Sequence, residues 1–292
     1  MIRHWRVFAS LMLLLAMAQP ASAREMRGGG KLLLTGGVSS VEGASGGGLA
    51  TWSLITGNET NDGIGGSVHA TYVALPDFDL ASVGAAIGIR NRIELSYAHQ
   101  TFDTRAAGAA LGLGHGFKFG QDVFGAKLRL IGDAVYDQDT ILPQISVGVQ
   151  YKRAEKGAVI RAVGGAETRG VDFLVSATKV LLAQSMVVGG TVRFTKANQF
   201  GLLGFGGDRD NAYHPQVEGS AGVMLSRRLL VGAEYRSKPN NLGFAREQGA
   251  CDVFGAWQAT HHVAFTVAYA DLGDIATVRR QRGAFLSIQG SL

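Results

Sequence analysis

The sequence predicts an all-β fold, a closed antiparallel transmembrane β-barrel of about 14 strands, with 12 strands as the alternative. Three observations predict this fold. Runs of about ten residues alternate apolar residues with small or polar ones, their connections alternate between short and long, and the chain begins with an export signal. Alternation at period two gives a strand one apolar and one polar face, and about ten residues suffice for a tilted strand to cross a bilayer.

The clearest hairpin joins the runs 216–226 and 228–237 through Arg227-Arg228. In the first run Val217, Val223 and Leu225 share one face, and Glu218 lies on the other. The same alternation recurs nearly end to end. The predicted strands are 31–38, 48–56, 64–73, 80–90, 92–101, 122–132, 144–153, 171–181, 186–195, 216–226, 228–237, 250–259, 261–270 and 283–292.

Connection lengths support one topology. Most even-numbered strands are followed by tight turns, and most odd-numbered strands by long loops. The long loops are 102–121, 154–170, 196–215, 238–249 and 271–282. Short periplasmic turns and long external loops are the known asymmetry of bacterial barrels. Edge strands cannot be tolerated in lipid, so the sheet is expected to close on itself.

The N-terminus predicts export. Arg3 and Arg6 precede the apolar run 7–18, and Ala21-Ser22-Ala23 matches a small-x-small cleavage site. We therefore predict a signal peptide over 1–23, a disordered lead-in over 24–30 and the barrel over 31–292. Localisation in the cell outer membrane follows from the exported barrel.

Composition excludes several function classes. Hydrophobic residues make up 46% of the chain and charged residues 17%, against an average of roughly 25% charged. The net charge of +5 falls to +3 once Arg3 and Arg6 leave with the signal peptide, and no long basic run occurs, so no nucleic-acid partner is predicted. The single cysteine, Cys251, excludes a disulfide framework.

Three stretches carry a resemblance to a known family. They are GDAVYDQDTILPQISVGVQYKR at 132–153, KANQFGLLGFGGDRD at 196–210 and EYRSKPNNLGFARE at 234–247. They resemble proteobacterial outer-membrane barrels catalogued as domain of unknown function three-zero-three-four, over essentially the whole mature chain. The resemblance implies a membrane barrel and outer-membrane placement. It implies no activity and no functional residues.

Charged and amide side chains occupy positions that alternation directs into the barrel. A polar interior is their natural place, because charges on a lipid-facing wall are costly. Two interpretations remain open: a water-filled conduit that selects solutes, or a salt-bridge network that fills a narrow barrel. The predicted lumen-lining residues are Arg90, Glu94, Lys127, Arg129, Gln150, Lys152, Asp172, Arg193, Glu218, Glu234 and Arg236.

Two predicted loops have unusual composition. Loop 196–215 carries the apolar side chains Phe200, Leu202, Leu203 and Phe205 among glycines. These residues are candidates for contact with an apolar substrate, and the loop alternatively plugs the barrel or rests on its rim. In loop 102–121 we predict a short helix that is capped by Thr104. This loop folds either inward as a constriction or outward as an external cover.

The His-Glu-x-x-His motif of zinc hydrolases does not occur in the sequence. No enzyme, catalytic residue or cofactor is predicted. Asp208-Arg-Asp210 and Asp137-Gln-Asp139 lack the further regularly spaced ligands of a calcium loop, so no metal site is predicted.

The predicted function is a passive channel for small solutes, with loop 196–215 contacting an apolar one. The alternative is a non-transporting structural or assembly barrel with a blocked lumen, and an embedded lipid-modifying enzyme is less favoured. The expected partners are outer-membrane lipid, the barrel-assembly machinery during biogenesis and an unidentified small solute.

Overall fold

The computed structural model describes Leu34 and residues 37–59 and 61–292. The predicted signal peptide and lead-in lie outside these described residues. None of the helices in the described part of the chain is long and apolar enough to cross a membrane.

Twelve antiparallel strands form a closed barrel. The barrel strands are β3 (Ile64–Ala74), β4 (Asp79–Ile89), β5 (Ile93–Asp103), β6 (Lys118–Ile131), β7 (Gln144–Ala154), β9 (Arg169–Leu181), β10 (Met186–Thr195), β12 (His214–Ser226), β13 (Leu229–Arg236), β14 (Ala250–Gln258), β15 (Val263–Asp271) and β16 (Arg282–Ser291). Closure comes from β16 pairing with β3, with Ala284 opposite Ala74 and Ser291 opposite Ser67. Four short strands lie outside the barrel sheet: β1 (Val38–Ser39) with β2 (Ser45–Gly46), and β8 (Gly165–Glu167) with β11 (Phe205–Gly207).

The expected number of about 14 strands was wrong, and the alternative of 12 is confirmed. Each predicted run from 64–73 onward contains one barrel strand, with ends displaced by a few residues. The run 48–56 is instead an irregular segment inside the barrel, and most of 31–38 lies outside the described residues. Alternation of apolar with small residues does not distinguish a wall strand from a segment packed inside the wall.

The outer surface of the barrel is apolar. Alternate residues of the wall are exposed hydrophobic side chains, including Val83, Leu95, Val175, Val253 and Val267. The residues between them are buried and largely polar. An apolar exterior around a polar interior is the arrangement of a barrel surrounded by lipid.

Three aromatic side chains of the adjacent strands β5, β6 and β7 form a cluster on this surface. The rings of Tyr97 and Phe124 are 5.0 Å apart between centroids, and those of Phe124 and Tyr151 are 6.3 Å apart. All three side chains are exposed on the wall. Such rings favour the boundary between lipid and water.

We expect Val267→Arg to destabilise the barrel strongly. Val267 is the middle residue of β15 and is 55% exposed on the lipid-facing surface. An arginine at the bilayer midplane of such a barrel costs about 2–4 kcal/mol. Urea unfolding in lipid vesicles measures this loss, and Val267→Leu is the matched apolar control. Equal stability of the two variants would show that this wall does not face lipid.

The connections divide between the two ends of the barrel. One end carries the turns 90–92, 132–143, 182–185, 227–228 and 259–262. The other carries the loops 75–78, 104–117, 155–168, 196–213, 237–249 and 272–281, and is called the loop end below. Apart from the short loop 75–78 and the long turn 132–143, this division matches the predicted parity.

Two short helices lie in the loops: α1 (Ala107–Ala110) and α2 (Gly157–Ala162). The first is in the predicted place, but Ala106 precedes it and no side chain caps it. The prediction that Thr104 caps this helix was wrong, because the Thr104 hydroxyl donates to the carbonyl of Phe117 instead.

Candidate functional site

Residues 37–59 fill the barrel lumen and are called the plug below. Nearly all of them are buried, although they form only the two-residue strands β1 and β2. Glycine permits the close packing. Gly43 has φ +88°, and a Cβ added to Gly47 would lie 1.7 Å from a carboxylate oxygen of Glu234. The plug therefore follows the wall at distances that side chains would prevent.

Wall carboxylates hold the backbone of the plug. Glu94 accepts hydrogen bonds from the amides of Ser45, at 3.1 Å, and Thr56, at 2.8 Å. Glu218 accepts one from the amide of Thr51 at 2.7 Å. These bonds satisfy backbone groups that no regular secondary structure pairs.

Glu234 provides a third anchor on the wall. Its carboxylate accepts the amide of Leu49 at 2.9 Å and the indole N–H of Trp52 at 3.0 Å. On the opposite side, Lys127 donates to the carbonyls of Ser45 and Leu54. The lumen is thus occupied by a segment bound through polar contacts from several strands.

Glu42 is an acidic side chain that the plug contributes to the ion pairs of the lumen. It pairs with Lys152, with Arg236 at 2.9 Å and with Arg193 at 3.3 Å. All four side chains are almost completely buried. Burial by itself raises the pKa of Glu42, but the charges of Arg236, Lys152 and Arg193 outweigh it and lower the pKa well below its usual value. The carboxylate is therefore ionised.

Two wall carboxylates complete this group, which is called the ionic belt below. Asp172 pairs with Lys152 at 2.8 Å and with Arg193 at 3.0 Å, and Glu218 pairs with Arg193 and Arg236. Three cations thus face three anions, and one of the anions comes from the plug. Without Glu42 the belt would hold an excess positive charge in a buried place.

Little space remains between the plug and the wall. A void beside Ala44 and Thr51 has a volume of about 10 Å³, close to the smallest space that holds one water molecule. Apolar clusters lie on both sides of the ionic belt. One includes Trp52 and Phe254, and the other, toward the loop end, includes Val41 and Phe285.

The structure brings together most of the lumen-lining residues that the sequence predicted. Nine of the eleven have buried side chains inside the barrel: Glu94, Lys127, Gln150, Lys152, Asp172, Arg193, Glu218, Glu234 and Arg236. Arg129 is partly exposed near the turn end, where it pairs with Asp133 at 2.9 Å. The prediction that Arg90 lines the lumen was wrong. Arg90 is exposed in the turn 90–92 with φ +52°, so the alternation of the strand ends before it.

Loop 196–213 folds inward at the loop end. Gln199 and Phe200 both adopt left-handed backbone conformations, with φ 45° and 61°. The Phe200 carbonyl accepts hydrogen bonds from Lys152, at 3.3 Å, and Gln121, at 3.2 Å. The ring of Phe200 lies 4.4 Å from the Arg236 guanidinium. Phe200 thus covers the ionic belt from the loop end.

An apolar cavity of about 230 Å³ lies among the loops. Phe200, Leu202 and Leu203 line it, whereas Phe205 is fully buried beneath Gly170 and Gly201. Loop 104–117 also contributes to its wall. The further lining residues include Phe78, Leu80, Phe102, Leu111, Leu113, Phe119, Val159, Val163, Phe244, Leu272 and Ile275.

A buried pair, Lys238 and Glu247, supports the loop beside this cavity. Lys238 donates to the side chain of Gln199 and to the carbonyl of Leu272, and Glu247 accepts the Gln199 amide at 3.0 Å. Burial lowers the pKa of Lys238 to about 8 and raises the pKa of Glu247 to about 7.

We expect Glu247→Gln to remove part of the pH dependence of stability. A carboxyl whose pKa rises from 4.5 to about 7 on folding stabilises fully below pH 4.5, and this stabilisation is lost as the pH rises through about 7. Between about pH 5 and about pH 7.5, the free energy of unfolding should fall more in the parent protein than in Glu247→Gln. Urea titrations measure it, with Glu167→Gln at an exposed site as control. Parallel pH profiles would contradict this.

Metal-binding geometry is not found among the described residues, where no group of three or more His, Cys, Asp or Glu could hold an ion. Asp208 accepts the amide of Gly243, and Asp210 accepts the amide of Ala212 and contacts His214 at 2.8 Å. These two aspartates serve loop structure.

A family model matches most of the chain. Residues 35–289 match the family model described as Protein of unknown function (DUF3034). The chain belongs to this family. No curated protein matches the chain.

Solved structures with a similar fold include porins. The KdgM porin matches with a TM-score of 0.51 at 10% identity, over 77% of this chain and 99% of that chain. The NanC porin matches with a TM-score of 0.51 at 10% identity, over 78% and 100%. At such identity the likeness shows the fold alone, a porin-like β-barrel.

Sequence reasoning missed the plug and Glu42. One signal was present: Glu42 is the single charged residue between Lys31 and Glu59, in a stretch rich in Gly, Ser and Thr. A lone charge in such a segment, next to a barrel with a charged lumen, indicates a partner inside that lumen.

Proposed function

We propose that this protein is a passive channel for small solutes in the outer membrane, held closed by its plug. One observation carries the proposal: a single N-terminal segment fills the lumen, and the wall's own side chains do not. A barrel built only as a solid support can fill its interior with side chains from its wall.

The plug is attached in a way that allows its displacement. Outside the connection 57–63 that leads into β3, all its described contacts with the barrel are non-covalent. Without it, the nine buried wall residues would line a polar conduit, and polar linings support passage of solutes. The porin fold of the neighbours supports the same function.

Planar bilayer recordings test the proposal. Purified protein should show discrete conductance steps, and a variant lacking 38–56 should show them more often and at larger amplitude. Silent bilayers with both proteins, at ample protein and with the barrel folded, would overturn the channel.

The blocked barrel remains a second candidate because of the ionic belt. Three ion pairs to Glu42 and a void of about 10 Å³ describe a firmly closed lumen. If the protein is a structural or assembly barrel, it should show no conductance and should capture a defined envelope protein. The plug deletion distinguishes the two, since only a channel gains conductance from it.

Catalysis is not part of the proposed function. On the outer surface, His99 contacts Asp122 at 2.9 Å, and no serine of the described chain hydrogen-bonds to this histidine. His69 lies 3.4 Å from Ser82, but both are buried inside, where Ser82 donates to the plug carbonyl of Val41. Neither pair places a nucleophile at the lipid surface.

Export through a signal peptide cleaved after Ala23 belongs to the same proposal, as does insertion by the barrel-assembly machinery. N-terminal sequencing of protein from the outer-membrane fraction should begin at Arg24. A first residue within 1–23 would contradict cleavage at this site.

A further inference from the structure

We propose that the cavity at the loop end binds a neutral apolar molecule about the size of a benzene ring with one or two small substituents. The binding site is an inference of its own. The role of this molecule as the solute rests on the proposed channel.

The volume sets the size of the ligand. The cavity measures about 230 Å³. A buried apolar cavity of about 150 Å³ accommodates benzene. The larger space here fits an alkyl-substituted ring.

The lining sets the polarity of the ligand. Five phenylalanines contribute, and Phe78 stacks on Phe102 with 5.0 Å between ring centroids. Two of the three polar side chains of the lining are engaged in hydrogen bonds within the protein. The Thr104 hydroxyl donates to the Phe117 carbonyl. The side-chain amide of Gln199 accepts a hydrogen bond from Lys238 and donates one to the Asp274 carbonyl. A ligand that needs hydrogen bonds would lose them on entry.

No charged side chain lines the cavity. Two buried cations near the cavity have partners of their own. Arg236 pairs with Glu42 in the ionic belt, and Lys238 donates to Gln199 and Leu272. A carboxylate or ammonium on the ligand would therefore be desolvated without a counter-ion, at a cost well above the gain from apolar contact.

The floor of the cavity connects it to the plug. The side chain of Phe200 lines the cavity, while its carbonyl accepts a hydrogen bond from Lys152, the residue that pairs with Glu42. A bound molecule would thus contact the residue that covers the ionic belt. This position places the cavity on the outer side of the closed lumen.

Fluorine NMR with a pair of matched probes tests the site. The full chain in lipid nanodiscs is titrated with 4-fluorotoluene and with 4-fluorobenzoate, and empty nanodiscs correct for partition into lipid. We expect saturable binding of 4-fluorotoluene and binding of 4-fluorobenzoate at least about tenfold weaker. Equal affinity for the two probes, or no saturable binding of the neutral one, would overturn the proposal.

A substitution in the cavity lining tests whether the probe binds in this cavity. Val163 lines it and is only partly buried, so Val163→Trp fills space without disturbing the barrel. We expect Val163→Trp to weaken binding of 4-fluorotoluene at least about tenfold, from loss of the volume that the probe needs. The matched control is Ile141→Trp, at a residue that is 99% exposed at the opposite end. Unchanged binding by folded Val163→Trp would overturn the assignment.

Measurements of ligand binding and of conductance distinguish the proposed binding site from the proposed channel. Saturable binding with silent bilayers supports this site and overturns the channel. Conductance without binding supports the channel and overturns this site.

Discussion

Glu42→Gln is expected to open the lumen, raising the open fraction in planar bilayers at least about tenfold. Glu42 balances the belt of three cations and three anions, and it is the plug's contribution to that belt. Removing one partner of a buried ion pair costs about 3–5 kcal/mol, and about 1.4 kcal/mol changes an equilibrium tenfold. Most of this cost falls on the plugged state, because water can solvate the cations once the plug has left.

The matched control is Glu167→Gln, which makes the same change of charge at an exposed residue of β8. Its open fraction should equal that of the parent protein. Glu42→Gln should also make the plug more accessible to protease from the turn end. A folded Glu42→Gln barrel with unchanged conductance would show that the ionic belt does not hold the plug.

A disulfide between Ser53→Cys and Ser146→Cys is expected to abolish that conductance. Ser53 lies in the plug and Ser146 on β7, and their hydroxyl oxygens are 2.8 Å apart. Side chains that meet at this distance are within reach of a disulfide bond. In the Glu42→Gln background, oxidation should close the channel and reduction should reopen it.

This test requires a background without the native thiol, so Cys251 is first replaced by serine. Cys251 is exposed on the outer wall, away from the plug. Each single cysteine variant is the control and should conduct equally before and after oxidation. Conductance that persists after the crosslink has formed would mean that solutes do not pass where the plug lies.

The wall strands were predictable because their signal is local. Each strand faces lipid on one side and a polar interior on the other, so about ten consecutive residues alternate between apolar and polar. Lys152 and Arg193 could be assigned to the lumen from this pattern alone. Arg90 could not, because its position depends on where the strand turns.

The apolar loop was predictable in part. Phe200, Leu202 and Leu203 stand out among glycines in one short stretch. Phe205, of the same stretch, packs against the backbone instead of lining the cavity, whereas Phe78 of the loop 75–78 and Phe119 of β6 reach the cavity from elsewhere in the chain. Contacts between distant loops leave no periodic pattern.

A lipid-facing barrel with a charged interior could be predicted from the amino-acid sequence, because each strand separately alternates lipid-facing with inward-facing residues. The choice of twelve strands and the position of residues 37–59 in the lumen came from the folded chain. A plug is defined by the distant residues that it contacts. Glu42 pairs with residues more than a hundred positions away, and no local preference records such a contact.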